Sequence, residues 1–271
     1  MLRTVQRAKE ATERVIAALR ELKKSLMKHL FTYGPVPLDQ ADQVPLKETE
    51  IGPVPEHWEV VRLGSLLRVA QYGLSIRAGR VGRYPMLRMN NLVDGQVDTS
   101  DLKYVDLNPE DFVKFRLHKG DVLFNRTNSF ELVGKTAIFD IEGDFVFASY
   151  LIRITPDTTQ LLPEYLNYHL NWEGVQHRLK ALASRGVSQS NISANKLKQL
   201  EIALPSIPEQ REIARILQAV DRKIEAEERR KRALEVLFQS LLHQLMTGQL
   251  RVNQIGEEAK NAHQPVAKRS P

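Results

Sequence analysis

Two stretches of this chain are copies of one another. Sliding the N-terminal stretch 215 places along the sequence lays Val5 on Val220, Arg7 on Arg222, Glu10-Ala11 on Glu225-Ala226, Glu13-Arg14 on Glu228-Arg229 and Ala18-Leu19 on Ala233-Leu234. The match continues with Leu22, Ser25-Leu26, Leu30 and Thr32 on Leu237, Ser240-Leu241, Leu245 and Thr247. Shared coiled-coil composition would align the leucines alone. The matching polar residues point to duplication of a helix-containing unit, with one globular region held between the copies.

Each copy reads as a long helix. Val5, Ala8, Thr12, Val15, Leu19, Leu22, Leu26 and Leu30 alternate steps of three and four, the heptad of a coiled-coil seam. Gly34, Pro35 and Pro37 stop this helix, because glycine accepts the left-handed cap and proline cannot continue the hydrogen-bond ladder. The second copy opens on Ser206-Ile207-Pro208-Glu209, a capping box with proline in the first turn. Its seam is Ile213, Leu217, Val220, Ile224, Leu234, Leu237, Leu241 and Leu245. The charged run from Glu225 to Arg232 reads as a solvated helical face.

These signals divide the chain into a helix over 1–33, a proline-rich extended linker over 34–57, a mixed α/β domain over 58–205, a second helix over 206–250 and a polar tail over 251–271. The tail has too little apolar content to order by itself. The expected architecture is α+β, one domain flanked by two helices that form an antiparallel coiled coil. Within the domain, strands are expected over Trp58–Leu63, Tyr84–Met89, Asp121–Asn125, Thr136–Asp140, Phe145–Ile154 and Leu200–Leu204. A helix is expected over Pro163–Ala183, with a further turn at Ser193–Leu197.

The absence of cysteine excludes disulfides, thiolate zinc sites and cysteine nucleophiles. The seven histidines never take the H-x-x-x-H spacing of a helical metal site, so no metal is expected. No stretch approaches the roughly 20 apolar residues of a membrane span, so a soluble cytoplasmic protein without a membrane partner is expected. A formal charge of +6 and a pI near 9.4 favour an anionic partner such as nucleic acid. The motifs of nucleotide binding and of α/β-hydrolase catalysis are absent, and Asn108-Pro109 continues as Glu110-Asp111 instead of the N-P-P-[YF] of an adenine methyltransferase. Autonomous catalysis is therefore not expected.

A specific family resemblance rests on several segments. Ile51-Gly52-Pro53-Val54-Pro55-Glu56-His57-Trp58 with Val61-Arg62-Leu63-Gly64 resembles the opening of a target-recognition domain in the specificity subunits of type I restriction-modification systems. Leu87-Arg88-Met89-Asn90-Asn91-Leu92, the run from Gly120 to Ser129, and Val133-Gly134-Lys135 resemble its interior motifs. The stretch from Leu204 through Pro208-Glu209-Gln210-Arg211 to Ala214 resembles the start of the conserved spacer helix. A full-length member alternates two recognition domains with two such helices. This chain, ordered helix, domain, helix, corresponds to the second half.

The resemblance implies a non-catalytic chain that reads one half of a split double-stranded DNA target. It implies docking of methyltransferase subunits and, through them, restriction subunits, with S-adenosylmethionine, ATP and Mg held by those partners and no cofactor by this chain. A homodimer or a different half-subunit would supply a second reader, and a truncated remnant or helix-mediated assembly module that binds methyltransferase subunits without productive DNA reading is the competing interpretation.

By side-chain chemistry, Arg and Lys suit guanine edges, Asn and Gln suit adenine, and hydroxyls suit phosphates. The candidate DNA-binding residues are Gln71, Tyr72, Ser75 and Arg77 in one loop, Arg126, Thr127 and Asn128 in a second, and Arg185, Ser188, Gln189 and Asn191 in a third. Arg88, Asn90, Asn91 and Lys135 complete the set. Turn formation explains the same Gly, Ser and Asn letters.

Overall fold

The computed structural model describes residues 1–185 and 189–248, with the side chain of Arg185 outside the description. The tail expectation therefore falls outside the described residues. In chain order the elements are α1 (Leu2–Tyr33), β1 (Leu46–Lys47), β2 (Val54–Pro55), β3 (Glu59–Arg62), β4 (Leu67–Tyr72), β5 (Tyr84–Leu87), β6 (Leu92–Val93), β7 (Gly95–Val97) and β8 (Lys103–Val105). There follow α2 (Pro109–Phe115), β9 (Val122–Asn125), β10 (Thr127–Asn128), β11 (Thr136–Ile138), β12 (Val146–Phe147), β13 (Leu151–Pro156), α3 (Pro163–Asn171) and α4 (Glu173–Leu182). The chain continues with β14 (Ser184–Arg185), β15 (Ser190–Asn191), α5 (Ala194–Lys198), β16 (Glu201–Leu204) and α6 (Ile207–Met246). The described residues divide into two compact units, 1–22 with 219–248, and 23–218.

In the first unit the two repeats pair antiparallel. Ion pairs link Lys9 to Glu235 at 3.6 Å, Glu13 to Lys231 at 3.0 Å and Arg20 to Glu228 at 2.9 Å, one number rising as the other falls. Such exposed pairs set register more than stability. Thr12, Ile16, Ile224 and Glu227 are buried between the helices, whereas Val15 and Leu22 are exposed. The buried row thus steps from Thr12 to Ile16 and not to Val15. A helix turning every 3.6 residues drifts off a strict heptad, so a seam counted at 3.5 slips onto the neighbouring face.

The charged run of α6 also differs from a uniformly solvated face. Glu227 lies within the pair, 3.0 Å from Lys223 and 3.8 Å from Arg230. Its repeat equivalent is Thr12, which satisfies its hydroxyl on the Ala8 carbonyl at 2.9 Å. The duplication has kept a buried polar residue at the equivalent position of each helix.

The second unit is built on a six-stranded sheet ordered β4-β13-β9-β11-β7-β6, antiparallel except for β11 beside β7. Its central strands are buried on both faces, which is why Val122-Leu123-Phe124 is unbroken apolar sequence. Val122, Phe124, Ile152 and Ile154 join one core with Tyr165, Leu166, Leu170, Val175 and Leu179 of α3 and α4, and with Met27, Leu30 and Phe31 of α1. Leu123 and Leu151 face the other way, onto Leu87, Phe139, Phe145 and Phe147. A three-stranded sheet β12-β5-β8 forms the layer beyond.

Trp58 is fully buried, and its indole nitrogen donates to Glu209 at 3.0 Å. Burial alone would raise the Glu209 carboxyl, but hydrogen bonds from Ser206, Trp58 and His57 outweigh it and hold the group at about 2. The capping box therefore also ties the domain's opening strand to α6.

Several expected elements take a different form. The linker is not merely extended, since Val54, Pro55 and Ala41 are buried and β1 pairs with β2. The helix expected over 163–183 breaks at Trp172, whose ψ of 138° is extended. The strand expected over 145–154 is two strands, because the chain turns at Ser149-Tyr150 between sheets. Strands β4, β6, β7 and β8 and helix α2 were not foreseen, nor was the sheet β10-β15-β14, whose strands lie in segments expected as loops.

Candidate nucleic-acid interface

The sequence candidates fall into two groups within the second unit. In the first, Arg126 lies between β9 and β10, and its guanidinium sits 4.8 Å from the ring centre of Tyr72, the last residue of β4. It donates to the Asn191 side-chain oxygen at 3.2 Å and to the Ser149 carbonyl at 3.3 Å. Asn191 in turn donates to the Thr127 hydroxyl at 2.8 Å, and Thr127 pairs with Asn191 across β10 and β15. The Tyr72 hydroxyl accepts from the backbone of Ala194 at 2.8 Å, at the start of α5. The Asn128 side chain accepts from the Ser129 amide at 2.8 Å. These groups join strands and loops distant in sequence, and most of their bonding capacity is used internally.

In the second group, the loops after β4 and β5 and the turn at Ser149-Tyr150 enclose an open cleft of about 460 Å³. Ser75, Arg88 and Asn90 line it, together with Ile76, Met89, Lys103 and Tyr150, which sequence reasoning did not select. The floor is apolar, with Leu74, Met86 and Ala148 buried. A glycine begins the first loop of necessity. A Cβ on Gly73 would lie 2.4 Å from the carbonyl oxygens of Phe147 and Ala148, inside any tolerable contact. The loop is then pinned by Leu74 donating to the Phe147 carbonyl at 2.8 Å and by a reciprocal pair between Gly79 and Tyr104, both 2.9 Å.

The second wall is a tight turn closed by Asn91. This side chain is buried; it accepts from the Arg88 amide at 2.9 Å and donates to the carbonyls of Asp98 at 2.9 Å and Asp101 at 3.0 Å. Asn91 is accordingly a turn-former and not a surface reader, while its neighbours Arg88 and Asn90 line the cleft. Arg88 donates to the Asp101 carboxylate at 2.9 Å and Asn90 to the same oxygen at 3.2 Å. The hydrogen bond and charge of Arg88 hold the Asp101 carboxyl below its ordinary range.

The remaining candidates are dispersed. Gln71 lies one residue before Tyr72, on the other face of β4, where its carbonyl oxygen accepts from buried Arg153 and its amide donates to the Lys114 carbonyl at 3.3 Å. Burial of that arginine is a structural duty, so Gln71 does not join either group. Thr127 is likewise buried. Lys135 is exposed beside Gly134, whose left-handed turn packs on Gln176 and Leu179 of α4, and it does not line the cleft. Gln189 is exposed; Ser188 and the Arg185 side chain lie outside the described residues.

Arg77 is exposed, as are Arg80 and Arg83 in the same loop. That step of three was legible in the sequence as a basic loop. Among the described residues no cluster of His, Asp or Glu could hold a metal ion, and no helix is long and apolar enough to cross a membrane.

A model of the type I restriction modification DNA specificity domain matches residues 55–236. The chain is 38% identical over 182 residues to a Methanocaldococcus jannaschii protein assigned as the MjaX type I restriction enzyme specificity subunit, covering 66% of this chain and 43% of that protein. It is 26% identical over 255 residues to the MjaVIII specificity subunit of the same organism, covering 89% and 56%. Among solved structures, the S subunit of a type I restriction-modification system from M. genitalium superposes with a TM-score of 0.58 at 14% identity, covering 89% of this chain and 57% of that one. The HsdS subunit of Thermoanaerobacter tengcongensis gives 0.51 at 18% identity, covering 92% and 56%. The chain thus spans about half the length of the relatives it matches. With the family model covering most of the second unit and running into α6, this chain belongs to the family of type I restriction-modification DNA specificity subunits.

Proposed function

We propose that this chain supplies sequence recognition to a type I restriction-modification complex in the cytoplasm, its second unit reading one half of a split DNA target. One observation supports this above others: Ser75 from one loop and Arg88 with Asn90 from another converge on one open cleft, and the first loop carries three exposed arginines. Cations that set affinity next to polar groups that can meet base edges are the two parts of a sequence-specific interface.

The paired helices take the remaining roles. At about 1.5 Å per residue, the 40 residues of α6 span roughly 60 Å, a ruler longer than one duplex turn of about 34 Å. Leu22 and Leu237 are equivalent in the repeat and nearly equally exposed, at 47% and 45%. Two like apolar spots suit two like partners, the methyltransferase subunits, and through these the restriction subunits. S-adenosylmethionine, ATP and Mg belong to those partners; this chain chooses the sequence. The other half of a split target calls for a second reader, either another copy of this unit or a different recognition unit.

The test is genome-wide adenine methylation in cells making the cognate methyltransferase subunit with and without this chain. A split motif that appears only with the chain supports the reading, palindromic for a dimer of this chain and asymmetric for two different readers. Co-purification with no chain-dependent motif would leave an assembly module that does not read DNA.

A further inference from the structure

We infer that the cleft between the loops after β4 and β5 reads an A·T base pair, by contact with the thymine methyl group and the adenine edge. This rests on the reading that the second unit binds DNA, and it specifies what one part of that unit selects.

The argument turns on which groups in the cleft are already committed. Guanine is the commonest target of arginine because its O6 and N7 take both arms of a guanidinium. Arg88 has no such fork to offer, since it donates to both the carboxylate and the backbone carbonyl of Asp101. Asn90 spends one amide proton on the same carboxylate at 3.2 Å. Its carbonyl oxygen and second amide proton remain, the pair that an adenine N6 and N7 require.

The apolar lining points to the same base pair. Leu74, Met86 and Ala148 form a buried floor, and Ile76, Met89 and Tyr150 stand at the rim 45%, 37% and 46% exposed. Apolar side chains held at the rim of a polar, cation-flanked cleft need an apolar counterpart on the ligand. In the major groove only thymine presents one, its C5 methyl.

The test uses the intact chain with its methyltransferase subunit. First the methylated motif is determined. Duplexes carrying it are then made with deoxyuridine for thymidine at each A·T position in turn. At one position, binding should weaken about fourfold, the worth of one methyl group at about 0.8 kcal/mol. The double variant Met89→Ala/Tyr150→Ala should lose that difference and methylate sites in which the same A·T position has become degenerate. Both side chains are partly exposed, and melting temperature verifies the fold of the variant.

Uracil substitution without effect at every position of the unaltered chain overturns the inference, with no variant involved. So does a variant whose motif is unchanged, or degenerate at a G·C position. If the unaltered chain directs no methylation motif at all, the recognition reading itself fails, and that outcome is visible before any substitution is made.

Discussion

Two neighbouring parts of one surface use the same residue types to opposite ends. Around Tyr72, Arg126, Thr127 and Asn191, polar groups bond to one another and to the backbone, stapling β4, β10, β15 and α5 together. Around Ser75, Arg88 and Asn90, polar groups stand at the wall of an open cleft. Residue type alone therefore does not separate the two parts; whether a side chain ties distant strands together or lines an open cleft does.

The contrast is broken most severely at Arg126. Arg126→Ala strips partners from Asn191 and the Ser149 carbonyl and removes the cation over Tyr72, and it should cost about 2–4 kcal/mol in urea unfolding. Next, Asn91→Ala opens the turn under Arg88 and should cost about 2 kcal/mol, whereas Asn90→Ala at the adjacent position should cost under about 0.5 kcal/mol. Equal losses for that pair would erase the distinction between turn-former and reader. Tyr72→Phe deletes only the acceptor for the Ala194 amide and should cost about 1 kcal/mol by the same measurement.

Smaller effects belong to the open side. Asp101→Asn should leave stability nearly unchanged but release Arg88, strengthening binding to random-sequence duplex and steepening its salt dependence, read by fluorescence anisotropy. The Asp101 carboxyl is held low, so its pairing with Arg88 persists through the ordinary carboxylate range and is lost only as pH falls through the lowered value. Acid should thus mimic the substitution locally. Smallest of all in stability, Arg77→Ala and Arg80→Ala should stay within about 0.5 kcal/mol while weakening binding to all duplexes alike.

How much of this was legible depended on whether the signal was local. The capping box at Ser206–Glu209 and the apolar run of β9 declare themselves in a few letters, and both elements formed where expected. The edge strand β4 did not, because Leu67-Arg68-Val69-Ala70-Gln71-Tyr72 mixes charge and small residues, and only pairing with β13 makes it a strand. Helix α2 had a readable start that was passed over: Asn108 caps it at 2.7 Å, followed by proline and two acidic residues. The burial of Glu227 depends on a helix 215 places away in repeat register, which no window around a charged run can reveal.

For the site, sequence chemistry names residue types but cannot say which of them the fold consumes. Gln71, Thr127 and Asn91 carry the letters of readers yet are consumed by Arg153, by Asn191 and by a turn. Lys103 and Tyr150 were missed because nothing near them in sequence marks a cleft, and Met89 because an apolar side chain carries none of the letters of a reader; the fold brings them there.

The closed turn at Arg88–Asn91 has a consequence for how such a protein can change over time. Because the Asn91 side chain, Arg88 and backbone bonds hold this turn, the identity of Asn90 carries little of the folding free energy. Substitutions at that position can be sampled without passing through unfolded intermediates. A lineage under pressure to recognise new sequences could then drift from one specificity to another, one exposed residue at a time, on an unaltered scaffold.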